Sequence, residues 1–234
     1  MKIIAIESNL KFTLTVSILT GLLTAITLGI AFSTPPLSGP FCIEGCFKYP
    51  FTDIASRFPR DYLWMYPAMV ATAFYLILIV CINNSTQEQH KIYGQCGLAF
   101  AIISSATIII DYFLQISVIQ PAILNGEFDG ISILTQYNPH GIFIALEEIG
   151  FIMMSVSFIC LAPIFNSNKI ERAIRWIFII AFTSTILAFL LFTVLFGVNR
   201  EYFFEITAIT INWLALISVS TLLSIDIFRK LKRV

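Results

Sequence analysis

The chain has 234 residues, of which 58% are hydrophobic and only 12% charged, with a mean hydropathy of +0.87. Soluble domains carry about 25% charged residues, so this surface cannot face water on all sides. Fourteen basic residues balance fourteen acidic ones, which removes the basic excess of a nucleic-acid binder and the acidic run of a disordered tail.

A hydrocarbon core about 30 Å thick is crossed by about 20 apolar residues in a helix. Six stretches satisfy this, at about 12–33, 62–83, 93–119, 140–165, 173–198 and 204–228. The expected fold is all-α: a polytopic membrane protein with a bundle of six transmembrane helices, forming a single transmembrane domain over 1–234. A cleaved signal peptide competes for the first run. That run is longer than a signal peptide's apolar region of about 7–15 residues, and Ala31, Phe32 and Ser33 make a poor small-x-small cleavage site. It is therefore read as a helix.

Lys and Arg in the short loops set the orientation. With the N-terminus inside, the cytoplasmic segments hold Lys2, Lys11, Lys91, Lys169, Arg172, Arg175, Arg229, Lys230, Lys232 and Arg233. The opposite side holds Lys48, Arg57, Arg60 and Arg200, so the count is ten against four. Both termini are expected in the cytoplasm, and a prokaryotic plasma membrane is the expected location.

The external loops, about 34–61 and 120–139, are long and show no evident helical or strand periodicity, a pattern that often marks function. The first carries Cys42 and Cys46, read as a disulfide because such pairs persist outside the cytoplasm; a metal-binding pair or two free thiols are the alternatives. Asp61, Tyr62, Trp64 and Tyr66 then reach the outer membrane boundary, where the three aromatics read as an interfacial belt, and Pro67 is placed to kink the second helix. In the second loop Asn125, Glu127, Asp129, Gly130 and Gln136 fit part of a calcium-loop spacing. Asn at the first position and Gln at the last depart from it, so an ordinary turn is expected. Cys81, Cys96 and Cys160 fall near cytoplasmic helix ends. They read as small buried hydrophobes, with a three-thiolate site as the alternative and no metal site assigned.

The carboxylates carry more information, because charged groups in a membrane face a cavity or a partner. Asp111, Glu147, Glu148 and Asn212 all lie about eight residues, or ~12 Å, below the outer ends of the third, fourth and sixth helices. Ser104, Ile108, Asp111 and Gln115 share one stripe, and His140 and Glu147, seven residues apart, are expected to stack on one face. Glu205 stands above Asn212. With no basic residue assigned to this layer, the three carboxylates must hold protons or take a cation. The expected binding residues are thus Asp111, Gln115, His140, Glu147, Glu148 and Asn212. Hydrogen bonding between helices is the plainer alternative.

Enzyme templates fit poorly. The Glu147–Glu148 pair is similar to that of the intramembrane CAAX-type glutamic proteases, which place an Arg after the pair and add two His motifs. Here Ile149, Gly150 and Phe151 follow, and the chain has only His90 and His140. Three-His zinc hydrolases fail on the same count, and no nucleophile elbow, phosphate loop or dinucleotide fingerprint is present. Rhodopsins need an intramembrane Lys and usually a seventh helix. In outline the six helices, short inner loops and outward polar cavity resemble the substrate-binding subunits of energy-coupling-factor vitamin transporters, with no shared motif. Two three-helix halves of opposite orientation also permit an inverted repeat.

Two functions follow. The first is an outward-facing acidic cavity that binds or carries a proton, a cation or a small cationic or amphiphilic ligand. The second is an integral membrane enzyme on a lipid-like substrate, with a carboxylate as base and His140 as acid. The expected partners are the lipid bilayer and such a ligand, and no cofactor can be named.

Overall fold

The computed structural model describes residues 2–34 and 37–232, with side chains described from residue 7. It is 83% helix with no strand among the described residues. Six helices are long and apolar enough to cross a membrane: α1 (Lys2–Phe32), α2 (Met65–Ser85), α3 (Lys91–Leu114), α4 (Ile142–Leu161), α5 (Lys169–Phe196) and α6 (Glu201–Leu231).

The helices outrun the apolar stretches at several ends, for local reasons. α1 begins near residue 2 because a Glu7–Lys11 ion pair at 2.7 Å, spaced one turn apart, lets polar residues continue the helix. α5 begins at Lys169 because Asn168 caps it, accepting from the amides of Ile170 and Glu171. α3 continues through a π-helical turn, Gln115–Ile119, into Gln120–Leu124, so the first residues of the expected second loop are helical. A one-turn helix, Ile131–Leu134, also interrupts that loop, and 3-10 turns at Gly39–Phe41, Thr52–Arg57 and Arg60–Tyr62 structure the first. Pro67 sits in the first turn of α2, where its missing N–H takes nothing from the helix and no kink is required.

Each helix packs on its chain neighbours, α1 closes against α6, and α4 also meets α6 directly. That contact makes a ring of α1, α2, α3, α4 and α6, with α5 attached outside on α4 and α6. Burial agrees: 56% of α4's most apolar window is buried against 17% of α5's. Glycines draw α3 and α4 together, since a Cβ on Gly150 would lie 2.6 Å from Ile108 Cγ1 and one on Gly97 2.6 Å from Leu161 Cδ2. Hydroxyls seal the same seam: Ser104 donates to Gly150 O at 2.8 Å and Ser157 to Gly97 O at 2.7 Å. The α1–α6 seam repeats this chemistry with Ser17 donating to Ser220 O at 2.8 Å beside Gly21.

The long loops and the 197–200 turn gather at one end of the bundle, and the described parts of the two terminal helices reach the other. Cys42 and Cys46 are bonded as a disulfide in the first loop, and Cys81, Cys96 and Cys160 are free.

Candidate functional site

At the loop end a cavity of about 280 Å³ opens between α1 and α6. Its apolar wall comes from Leu28, Ala31 and Phe32 of α1 and from Ile206 and Ile209 of α6. Phe32 and Ile206 are exposed at the rim. The opposite wall is aromatic, built by Trp64, Tyr137, Phe143, Tyr202 and Trp213. Trp64 packs edge-on against Tyr112 at 5.0 Å and Trp213 at 6.4 Å, so its indole is fixed between three helices. Tyr62 is fully buried and Trp64 half-buried; only Tyr66 of the expected belt is exposed. The belt reading therefore fails for the first two, because the 3-10 turn Arg60–Tyr62 steers them inward ahead of α2.

Two carboxylates line this cavity, Asp61 and Glu205, and no Lys, Arg or His does among the described residues. Asp61 accepts from Tyr137 Oη at 3.0 Å and has Arg60 Nε at 3.8 Å. Burial pushes the Tyr137 hydroxyl up, with the neighbouring Tyr62 and Asp61 adding to the effect, so it stays a neutral donor. Tyr202 donates to Gln136 O at 3.0 Å and so accepts from Ser38 Oγ at 2.6 Å. The αL glycine Gly39 (φ 70°) makes that approach possible, because a Cβ there would run into the Tyr202 ring. Glu205 lacks such company. Its Oε2 is buried with no hydrogen-bond partner, a state that costs about 1–3 kcal/mol or more for a charged group.

Behind Glu205 lies the acidic layer. Tyr112 donates to Glu147 Oε1 at 2.6 Å, while Glu147 Oε2 and Asp111 Oδ2 are buried without partners. The Glu147 and Glu205 carboxyls lie within hydrogen-bonding reach of one another between α4 and α6. Asp111 and Glu147 lie on the packed helices α3 and α4, and neither lines the cavity. The stripe Ser104, Ile108, Asp111 and Gln115 is buried throughout.

The other expected residues go elsewhere. Glu148 takes Arg200 Nη2 at 3.0 Å, a basic group the sequence reading kept out of the membrane layer. The long guanidinium stem reaches down from the loop, as such side chains do near an interface. Asn212 turns to α5, donating to Thr185 Oγ1 at 3.3 Å and to Ala208 O at 2.9 Å. Gln115 clamps the second loop, donating to Leu134 O at 2.6 Å and accepting from Gln136 N at 3.1 Å. His140 does not stack over Glu147, because α4 starts only at Ile142. The Asn138 side chain holds His140 N at 3.0 Å and Gly141 is extended, so the imidazole turns outward to Asn199 at 3.2 Å. Residues 125–130 form turns with Gly126 and Gly130 in the left-handed region. Among the described residues no three of His, Cys, Asp and Glu are placed to hold a metal ion.

A second cavity of about 520 Å³ lies at the opposite end, between the 86–90 and 164–168 turns. Its charges are paired internally: Lys230 Nζ lies 2.7 Å from Asp226 and 3.2 Å from Glu171, and Asn168 donates to Asp226. The smaller cavity is the better candidate, because Lys230 neutralises the acids of the larger one while no cation reaches Glu205 among the described residues.

The sequence reading missed Glu205, Asp61, Tyr112 and Tyr202 as site residues. Glu205 had a signal, an acid at the start of the sixth apolar stretch, and Tyr112 stands next to Asp111. No protein-family model matches the chain, and no curated protein or solved structure matches it.

Proposed function

We propose that this chain is an integral membrane protein that binds or carries a small organic cation or cationic amphiphile, taken up from the outer side of the membrane. The observation that carries the reading is Glu205, a buried carboxylate with no donor or cation bound to its Oε2, which lines an aromatic-walled cavity with no basic lining among the described residues. Aromatic faces attract quaternary ammonium groups, by about 2 kcal/mol or more once water is excluded, and the carboxylate supplies the counter-charge. The apolar rim between α1 and α6 suits a tail lying in lipid. The excess of Lys and Arg on the other side supports cytoplasmic termini and an outward-facing cavity.

Calorimetry on the purified protein with benzyltrimethylammonium, against its uncharged isostere neopentylbenzene, tests the charge requirement. The cation should bind, the isostere should not, and Glu205→Gln should abolish binding while thermal unfolding stays cooperative. Equal binding of both compounds would refute the reading.

A further inference from the structure

We propose that occupation of the cavity by a cation releases a proton from the buried Asp111–Glu147–Glu205 group, so that the protein exchanges one positive charge for another. The proposal rests on the cation-binding reading above and adds to it a second ion and a direction of coupling.

The geometry supplies three buried carboxylate oxygens without partners: Glu147 Oε2, Glu205 Oε2 and Asp111 Oδ2. Glu147 is fully buried, Asp111 is 2% exposed and Glu205 8%. The titratable groups around Glu205 come from several elements. α3 brings Asp111 and Tyr112, and α4 brings Glu147 and Glu148. α6 itself brings Tyr202, the turn before it brings Arg200, and Asp61 and Tyr137 line the cavity with it. Arg200 is already engaged with Glu148, and Arg60 lies beside Asp61. α1 and α5 carry their charged residues at the opposite end. No cation is left for the trio.

Like-charged carboxylates this close cannot all ionise in a dry interior, and a shared proton is the usual resolution. The Glu147–Glu205 approach is the natural place for it, since a proton there satisfies the free oxygen of each. Tyr112 holds the other Glu147 oxygen, which leaves Glu147 Oε2 turned to the proton. Glu205 is the one member that lines the cavity. A cation arriving there pairs with the Glu205 carboxylate, and the proton between Glu205 and Glu147 leaves through the cavity to bulk water. The charge inside the bundle is unchanged, so the exchange avoids burying an extra charge.

The test follows proton release in weakly buffered solution with a pH indicator while benzyltrimethylammonium is titrated into the purified protein. About one proton should appear per bound cation, and affinity should tighten by about tenfold for each unit rise in pH while the unoccupied group still holds its proton. Neopentylbenzene should release none. In Glu147→Gln an amide replaces the proton-sharing partner, so protons released per bound cation should fall towards zero and the pH slope should flatten. Should that variant not fold, the wild-type slope alone decides. Cation binding with no proton release and a flat affinity profile would overturn the exchange and leave the binding site standing. Absence of cation binding would overturn both.

Discussion

Tyr112 on α3 donates its phenolic proton to Glu147 on α4 across 2.6 Å, with both side chains fully buried. Removing the hydroxyl in Tyr112→Phe leaves Glu147 Oε1 without its donor. The expected loss is about 1–3 kcal/mol of stability, read as a lower unfolding temperature in detergent. Glu147→Gln keeps a carbonyl acceptor for Tyr112 and should lose less. An equal loss in both variants would show that the bond does not hold the two helices.

Arg200 and Glu148 form the one ion pair that spans the turn before α6 and the wall of α4. Glu148 has little exposure and Arg200 is its one cation among the described residues, so Arg200→Ala strands a carboxylate. We expect a cost of about 3 kcal/mol, the lower end for breaking a buried pair, because the Arg200 side chain is 22% exposed. Combining it with Glu148→Gln should recover part of the loss, a positive coupling in a double-mutant cycle.

Gly150→Ala tests the α3–α4 seam. A Cβ there would lie 2.6 Å from Ile108 Cγ1, so the helices must separate and strain the Ser104 bond to Gly150 O. A loss of about 1–3 kcal/mol is expected. Gly29→Ala on α1, where a Cβ meets nothing within 4 Å, should leave the unfolding temperature unchanged or slightly higher.

Reporter fusions at Asn84 and Asn168 should read cytoplasmic, and fusions in the 37–60 and 120–138 loops external. In protein purified without reductant, membrane-impermeant thiol reagents should leave Cys42 and Cys46 unmodified, as the disulfide requires. Closing a loop of about five residues limits its contribution to about 2 kcal/mol, so Cys42→Ser with Cys46→Ser should fold with a modest drop in unfolding temperature.

The six long apolar helices were legible because length and apolar content alone set them. The burial of Asp111 and Glu147 follows from the same reasoning, since charged groups at mid-helix turn away from lipid. Asn212 shows the limit. It lies two turns below Glu205 on one stripe of α6, yet Glu205 faces the cavity and α4 while Asn212 meets Thr185 of α5. Crossed helices meet different neighbours along their length, and a stripe does not say which. Arg200 was misread because position along the chain does not give the reach of a long side chain. His140 was misplaced because the start of α4 depends on the turn at Asn138 and Gly141, which hydropathy does not register.

The closure of the ring by α1 and α6 bears on how the protein is made. A chain synthesised from its N-terminus delivers α1 to the bilayer long before α6 exists. During that interval α1 carries a row of hydroxyls in lipid without its last neighbour. Thr13, Thr15, Thr20, Thr24 and Thr27 each donate to the carbonyl four residues earlier, so the helix satisfies them by itself and can wait. Ser17 is the exception, its hydroxyl bonded to Ser220 O. That serine becomes satisfied across the seam only when the last helix arrives, which makes the Ser17–Ser220 contact a late event in assembly.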